Sequence, residues 1–327
     1  MSKKLNELLI LGEIAKLLEK SYLTVNMHIH TNASDGHDTL EEIINNPQNN
    51  NDLIVVSDHD TINGLSNVKK TGYIDKNELS SFGYMIDKNG KFIVRGVELS
   101  TTDQGKSVHI LGLFLKHVDQ DTLAEFSDIA RQRKRRLKKM TERYNQQVPK
   151  NTPINWQKDV ASLITNSSCS KLNLAYAIWK KGDAISVKDA LNKYLKESAP
   201  YNIYLHPAEF KLTPKEAIKR IHSWGGIAIL PHAIELTEKG LDYTQKIKEY
   251  KKFKLDGLET RTSKHNKSYI ENLQILVKQF KLLQTYGTDY HGQFMPFTPL
   301  TGYHMNIKYF KQIADKLIRR RKENKML

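Results

Sequence analysis

Six of the twelve histidines sit in short acidic or apolar contexts: His28-Ile-His30, Asp58-His59-Asp60, Val108-His109, Pro231-His232 and Asp289-Tyr290-His291. With Asp35, Glu98 and Asp289 interleaved, nine nitrogen and oxygen ligands stand at the ends of apolar runs between residues 28 and 291. Imidazole mixed with carboxylate is the donor set of a transition-metal site. Nine ligands are more than one ion takes, so the chemistry on offer is that of a multinuclear metal centre in an enzyme. The remaining motif-free histidines, His37, His117, His206, His222 and His304, read as ordinary core or surface residues.

Strand ends must hold these ligands. Thr24 to His30 alternates, with Val25, Met27 and Ile29 on one side and Asn26, His28 and His30 on the other, so the two histidines share a face. Helix-like sequence follows from Thr39 to Asn45, then an Asn-rich turn, and Leu53 to Val56 is a short buried strand ending at Ser57-Asp-His-Asp60. The same pattern recurs at Phe92 to Val97 before Glu98, Gly225 to Leu230 before His232, Asp256 to Glu259, and Leu282 to Tyr286 before Asp289. His109 is the exception, near the start of its run. Polar side chains gathered at strand C-termini are the signature of α/β barrels and open parallel sheets. The expected fold is an α/β, barrel-like one.

Between Lys116 and Pro214 the strand signal gives way to charged, helix-prone sequence over 121–145, 170–181 and 186–196, bounded by Pro149 to Pro153 and Pro200 to Pro207. The expected organisation is an amphipathic N-terminal helix over 1–23, a catalytic barrel from 24–118 and 215–327, and a helical insertion over 119–214. Cys169 is the only cysteine, which excludes an intrachain disulfide and thiolate zinc chemistry and fits a reducing, cytoplasmic compartment. Glu7, Glu13 and Lys16 interrupt any signal-peptide core, and no stretch approaches the roughly 20 apolar residues of a membrane span.

The 51 Lys and Arg against 36 Asp and Glu give a formal charge of +15, which favours polyanionic partners. Lys-rich composition alone accounts equally well for the scattered lysines, less so for Arg131-Gln-Arg-Lys-Arg-Arg-Leu-Lys-Lys139, with its seven cations.

Taken in order, these motifs resemble the PHP family, named for polymerase and histidinol phosphatase, over about residues 24 to 300. His28-Ile-His30 with Asp35, Ser57-Asp-His-Asp60 with Thr61 and Gly64, Gly96-Val-Glu98 with His109, Pro231-His232, and Gly287-Thr-Asp-Tyr-His-Gly292 match its five motifs. The resemblance implies a distorted seven-stranded (β/α) TIM-like barrel of PHP type. The insertion is most similar to that of stand-alone members that act on nucleoside 3′,5′-bisphosphates and trim RNA from the 5′ end.

The resemblance further implies two or three divalent ions: one on His28, His30, Glu98 and Asp289, a second on Glu98, His109 and His232, a third on Asp35, His59 and His291. Manganese, iron or zinc suits such donors better than magnesium. Clustered ions turn a shared water into a hydroxide nucleophile and clamp an in-line displacement at phosphorus. Asp289, His291, Glu98 and His265 are the implied catalytic residues, and Arg133 and Arg136 match an Arg-x-x-Arg that binds phosphate. A solvated helix face is an equal reading of those arginines, and a loop histidine of His265. Asp58, Asp60 and Glu259 are expected to orient ligands or cap loops.

Two departures stand out: Asn173 where small family members carry His, and Pro231-His232-Ala233 in place of Ala-His-Pro. The expected function is a metal-dependent phosphoesterase acting on a nucleotide or on short RNA or DNA ends, with no membrane partner. A histidinol-phosphate-type metabolite phosphatase and a non-catalytic, metal-stabilised nucleic-acid-binding module are the alternatives.

Overall fold

The computed structural model describes residues 19–66, 84–86, 90–149, 152–164, 168–208, 210 and 212–326. The expected N-terminal helix and most of the stretch 70–91 lie outside these residues. Nine strands form one sheet: β1 (Tyr22–Ile29), β2 (Leu53–Val56), β3 (Tyr84–Ile86), β4 (Phe92–Asp103), β5 (Lys106–Leu113), β6 (Ile227–Leu230), β7 (Gly257–Arg261), β8 (Leu283–Tyr286) and β9 (Tyr303–Asn306). Their order is β8-β7-β6-β5-β4-β2-β1-β9, with β3 beside β4.

The sheet curls until its two sides nearly meet. Ile29 bridges to Tyr290, the N–H of His30 donates to the Tyr290 carbonyl at 2.9 Å, and the N–H of Asp289 donates to the His28 carbonyl at 3.0 Å. β9 pairs antiparallel with Tyr22 to Val25, the first half of β1, so β1 serves β9 with one half of its edge and the loop after β8 with the other. The result is a distorted TIM-like barrel of seven ring strands. The distortion has a cause: β5 runs antiparallel to both β4 and β6. It returns from β4 through a tight turn at Gln104 and Gly105, both at positive φ as such a hairpin turn requires. This reversal explains why His109 lies in the first half of its strand, whereas His28 lies near the C-terminal end of β1 and His59, His232 and Asp289 follow β2, β6 and β8.

Leu53, Val55, Val94, Leu111, Leu113 and Ile229, in register across β2, β4, β5 and β6, pack in one cluster with Phe310 and Ile313 of helix Ile307–Glu323. Burying each such side chain is worth about 1.5–3 kcal/mol. Glu98 pairs with Leu111, so its carboxylate rises from the same face above this apolar floor. The alternation expected along β1 is broken: Val25 and Met27 join the floor, whereas Ile29 packs with Ile54, Val56 and Ile93, the register shifting between Asn26 and Ile29.

Outer helices start where their caps dictate. Thr39 with Glu42, and Thr213 with Glu216 and Pro214, form capping boxes. Between β5 and β6 the chain builds helices Gln120–Gln147 and Lys171–Lys180 and shorter turns around a core of their own, including Met140, Tyr144, Leu174, Ile178, Leu195 and Ile203. Phe294, from the loop after β8, enters that core and ties it to the barrel.

Candidate metal centre

At the C-terminal end of the ring the ligand candidates converge. His28 and His30 bring their Nε2 atoms to 3.1 Å of each other. Glu98 stands between two groups of imidazoles. Its Oε1 lies 2.9 Å from both His109 Nδ1 and His232 Nε2, and its Oε2 lies 3.2 Å from His28, 3.1 Å from His30 and 3.4 Å from His59. Asp289 Oδ1 approaches His28 Nε2 at 3.4 Å and His30 Nε2 at 3.3 Å. Asp35 approaches His291 Nε2 at 3.5 Å and His59 Nε2 at 3.8 Å.

Three overlapping groups of donor atoms each fit around one ion: His28, His30, Glu98 and Asp289; His30, Asp35, His59 and His291; and His59, Glu98 and His109. The first matches the set implied by the resemblance. The second adds His30 to the implied one. In the third, His59 stands where His232 was expected, and His232 reaches only Glu98 Oε1 while its Nδ1 lies 3.5 Å from Glu235.

The residues fit divalent cations. Two imidazole nitrogens facing each other among carboxylates favour positive charge between them, and the buried Nδ1 atoms of His59 and His109, although 3.4 and 2.9 Å from Glu98, make no well-aligned hydrogen bond. Without an ion, protons must supply the charge. Burial opposes protonation of His28, but Glu259, Glu98 and Asp289 together raise it well above the usual range, and His30 is likewise pulled up to about 10. His59 goes the other way, burial holding it down at about 3. Burial works against ionisation of Glu98, Asp35 and Asp289, yet neighbouring cations keep all three far below the normal carboxylate range.

Local backbone serves this convergence. Asp289, His232 and Asp60 adopt positive φ angles of 62°, 27° and 50°, a strain that costs on the order of 1–3 kcal/mol each and clusters at functional sites. Gly64, four residues after Asp60, leaves room for the loop: an added Cβ would lie 2.2 Å from Asp58 Oδ2. Asp58 accepts from the N–H and hydroxyl of Thr31 at 2.8 and 2.7 Å, and Asp60 accepts from the N–H of Ser100 at 2.8 Å. Both therefore brace loops, the second of the two roles expected for them. Glu259 accepts from His28 Nδ1 at 3.1 Å and so orients a ligand ring.

The expected phosphate binders are placed differently. Arg133 is buried; its guanidinium pairs with Asp60 and donates to Ser100 Oγ at 2.7 Å. Arg136 donates to the Leu205 carbonyl at 3.4 Å. His265 Nδ1 lies 3.2 Å from the Thr260 carbonyl, an acceptor, which leaves the buried Nε2 as the lone-pair nitrogen; burial lowers its pKa, so it is poorly set to donate a proton. Asn173 is buried, closing the capping box of helix Lys171–Lys180 with Ser170. His37 and His222, expected to be ordinary core or surface residues, contact Asp38 at 2.6 Å and Asp256 at 2.8 Å respectively.

Sequence reasoning missed Lys264 and Glu235. Lys264 Nζ lies 2.6 Å from Glu235 Oε1 and 2.8 Å from Asp289 Oδ2, fixing the carboxylate oxygen that faces away from His28. The signals were present: Glu235 falls three residues after His232, and Lys264 is next to His265.

No family model matches the chain. It is 24% identical over 266 residues to a 5′-3′ exoribonuclease of Haemophilus influenzae, covering 81% of this chain and 89% of the relative. It is 23% identical over 286 residues to a phosphoribosyl 1,2-cyclic phosphate 1,2-diphosphodiesterase of Eggerthella lenta, covering 82% and 94%. In fold it is similar to a Bifidobacterium adolescentis protein classed as a metal-dependent phosphoesterase, with a TM-score of 0.72 and 22% identity over 89% of this chain and 96% of that one.

Proposed function

From the premise that this chain is a PHP-type metal-dependent phosphoesterase, we propose that it hydrolyses phosphate esters of nucleotides or of short nucleic-acid ends. The observation that carries the reading is Glu98, whose two carboxylate oxygens face different groups of imidazoles and so suit it to bridge ions. Divalent ions held there, manganese foremost and iron or zinc by the same donor chemistry, would activate water and stabilise charge at the attacking and leaving oxygens. His28, His30, Glu98 and Asp289 would hold one, His59, Glu98 and His109 a second with His232 beside it on Glu98 Oε1, and His30, Asp35, His59 and His291 a third.

The protein's own part is positional. Glu259 fixes the tautomer of His28, Glu235 faces His232, and Lys264 holds Asp289. Such outer partners raise ligand basicity and keep the rings aimed. The insertion, taken as residues 119–214, and the net charge of +15 support a nucleotide or RNA substrate, and so does the exoribonuclease relative.

The test is manganese-dependent hydrolysis of a nucleoside 3′,5′-bisphosphate, a 5′-phosphorylated RNA oligomer and histidinol phosphate, beside Glu98→Gln and Asp289→Ala, with bound metal measured on each protein. Turnover of bisphosphate or oligomer, lost in both variants, is the expected result. Turnover of histidinol phosphate alone would replace the substrate class, and full metal occupancy without any turnover would sink the enzyme reading.

A further inference from the structure

Away from the metal ligands, the segment Pro200 to His206 borders a groove of about 310 Å³ lined by Glu197, Pro200, Tyr201, Asn202, Tyr204 and His206. Three aromatic rings line one short stretch because Ile203 between them is fully buried in the insertion core and pins the strap. Tyr201 is propped against Tyr194 at 5.7 Å between ring centres, and Tyr204 meets His206 edge to face at 5.1 Å. Glu197, the acid in the groove, lies 3.2 Å from His206.

Cations surround the strap. Arg143 donates to the Asn202 carbonyl at 3.1 Å and Arg136 to that of Leu205, both from helix Gln120–Gln147. Lys171 Nζ stands 5.7 Å over the Tyr204 ring. Among the described residues it makes no ion pair. Burial lowers its pKa to about 8, and Glu235 is the acid that acts on it. The helix that Lys171 opens, Lys171–Lys180, packs its Tyr176 against Phe294, three residues after His291, at 4.9 Å between ring centres, and so joins the groove's side of the insertion to the site.

We propose that this groove binds the unpaired strand of an oligonucleotide whose end lies at the metal centre, its bases stacking on Tyr201, Tyr204 and His206 and its backbone drawn by Lys171 and the neighbouring basic helix. Aromatic faces beside cations are the chemistry that binds single strands without reading sequence. The inference rests on the nucleic-acid reading of the metal centre and goes beyond it, assigning a second subsite that a lone nucleotide does not reach.

The experiment measures fluorescence anisotropy of a 3′-labelled RNA of about eight nucleotides, a length in the range that such grooves span, with chelator present so that nothing is cleaved. Replacing both tyrosines (Y201A with Y204A) is expected to weaken binding about tenfold, and the same pair changed to Phe by less than about twofold. His206→Ala, at an exposed position that leaves the fold untouched, is expected to weaken it by about threefold. Turnover of a nucleoside 3′,5′-bisphosphate stays at the wild-type level in all three. Wild-type binding by both the tyrosine-to-alanine pair and His206→Ala, or equal affinity for a duplex of the same length, overturns the proposal. Because binding is read without catalysis, absence of turnover in the unaltered protein would count against the metal-centre reading alone.

Discussion

Glu259 on β7 holds His28 on β1 from beyond the intervening β8: His28 Nδ1 lies 3.1 Å from its Oε1, while its Oε2 accepts the main-chain N–H of His232 at 2.9 Å. One carboxylate thus sets the tautomer of one ligand and the backbone position of another. Glu259→Gln is expected to lower affinity for manganese by about 10- to 100-fold, the usual cost of losing such a partner. Titration followed by electron paramagnetic resonance checks it, and unchanged affinity would leave Glu259 without that role.

Arg133 was one of two residues expected to grip phosphate, yet its guanidinium is spent on Asp60 inside the protein. Removing it strands a buried carboxylate, so Arg133→Met should destabilise the fold by about 3–5 kcal/mol. Denaturant unfolding measures this. A variant of undiminished stability with a raised KM would restore the phosphate-binding role.

Asp119 caps helix Gln120–Gln147, accepting from the Thr122 N–H at 2.8 Å and from Trp224 Nε1 at 2.9 Å. Burial works against its ionisation, but these bonds outweigh it and bring its pKa down to about 2. A depressed acid stabilises the fold above its ordinary pKa of 3.8 and loses that contribution as pH falls through the folded value. Asp119→Ala should therefore melt lower than wild type at neutral pH, by about 1 kcal/mol for the cap, with the gap closing between pH 4 and 2. Melting curves across that window test it, and a gap as wide at pH 2 as at neutral pH would contradict it.

Gly287 lies where β8 passes β1. An added Cβ would sit 2.4 Å from His28 Cβ and 2.6 Å from Glu259 Oε1. Gly287→Ala must push His28 off its aim, so the expected outcome is loss of bound metal and about a 100-fold fall in activity, since small displacements of reacting groups cost that much. Metal content and kcat/KM of the purified variant decide it, and wild-type values for both would show that the strand yields.

The convergence of the candidate ligands was legible because residues at or just after the ends of buried strands of one curled sheet must meet at one end of it. Their partners were not. Glu235 belongs to helix Ile234–Glu238 and Lys264 to the turn after β7, and only folding shows that they pair with each other while Glu235 faces His232 and Lys264 holds Asp289. Arg133 sits in a run of exposed cations at 131, 134, 135, 138 and 139, and nothing in that run marks the one turn of helix that faces inward. The Asn-rich stretch read simply as a turn, yet Asn49 and Asn51 are buried, with Asn51 bonding the Leu300 carbonyl and the Gly302 N–H. The reversal of β5 escaped pattern reading because the apolar pattern of a strand carries no mark of its direction.

That reversal has a consequence for how the molecule can change. β4 and β5 stay paired beyond the level of Glu98 and His109, out to Asp103 opposite Lys106. The hairpin tip therefore lies beyond the register of both, and there Asp103 pairs with Lys246 and accepts from the Tyr250 hydroxyl of helix Tyr243–Lys252. Residues added there in pairs keep every side chain on its own face, so the tip can lengthen while the register that sets Glu98 and His109 is kept.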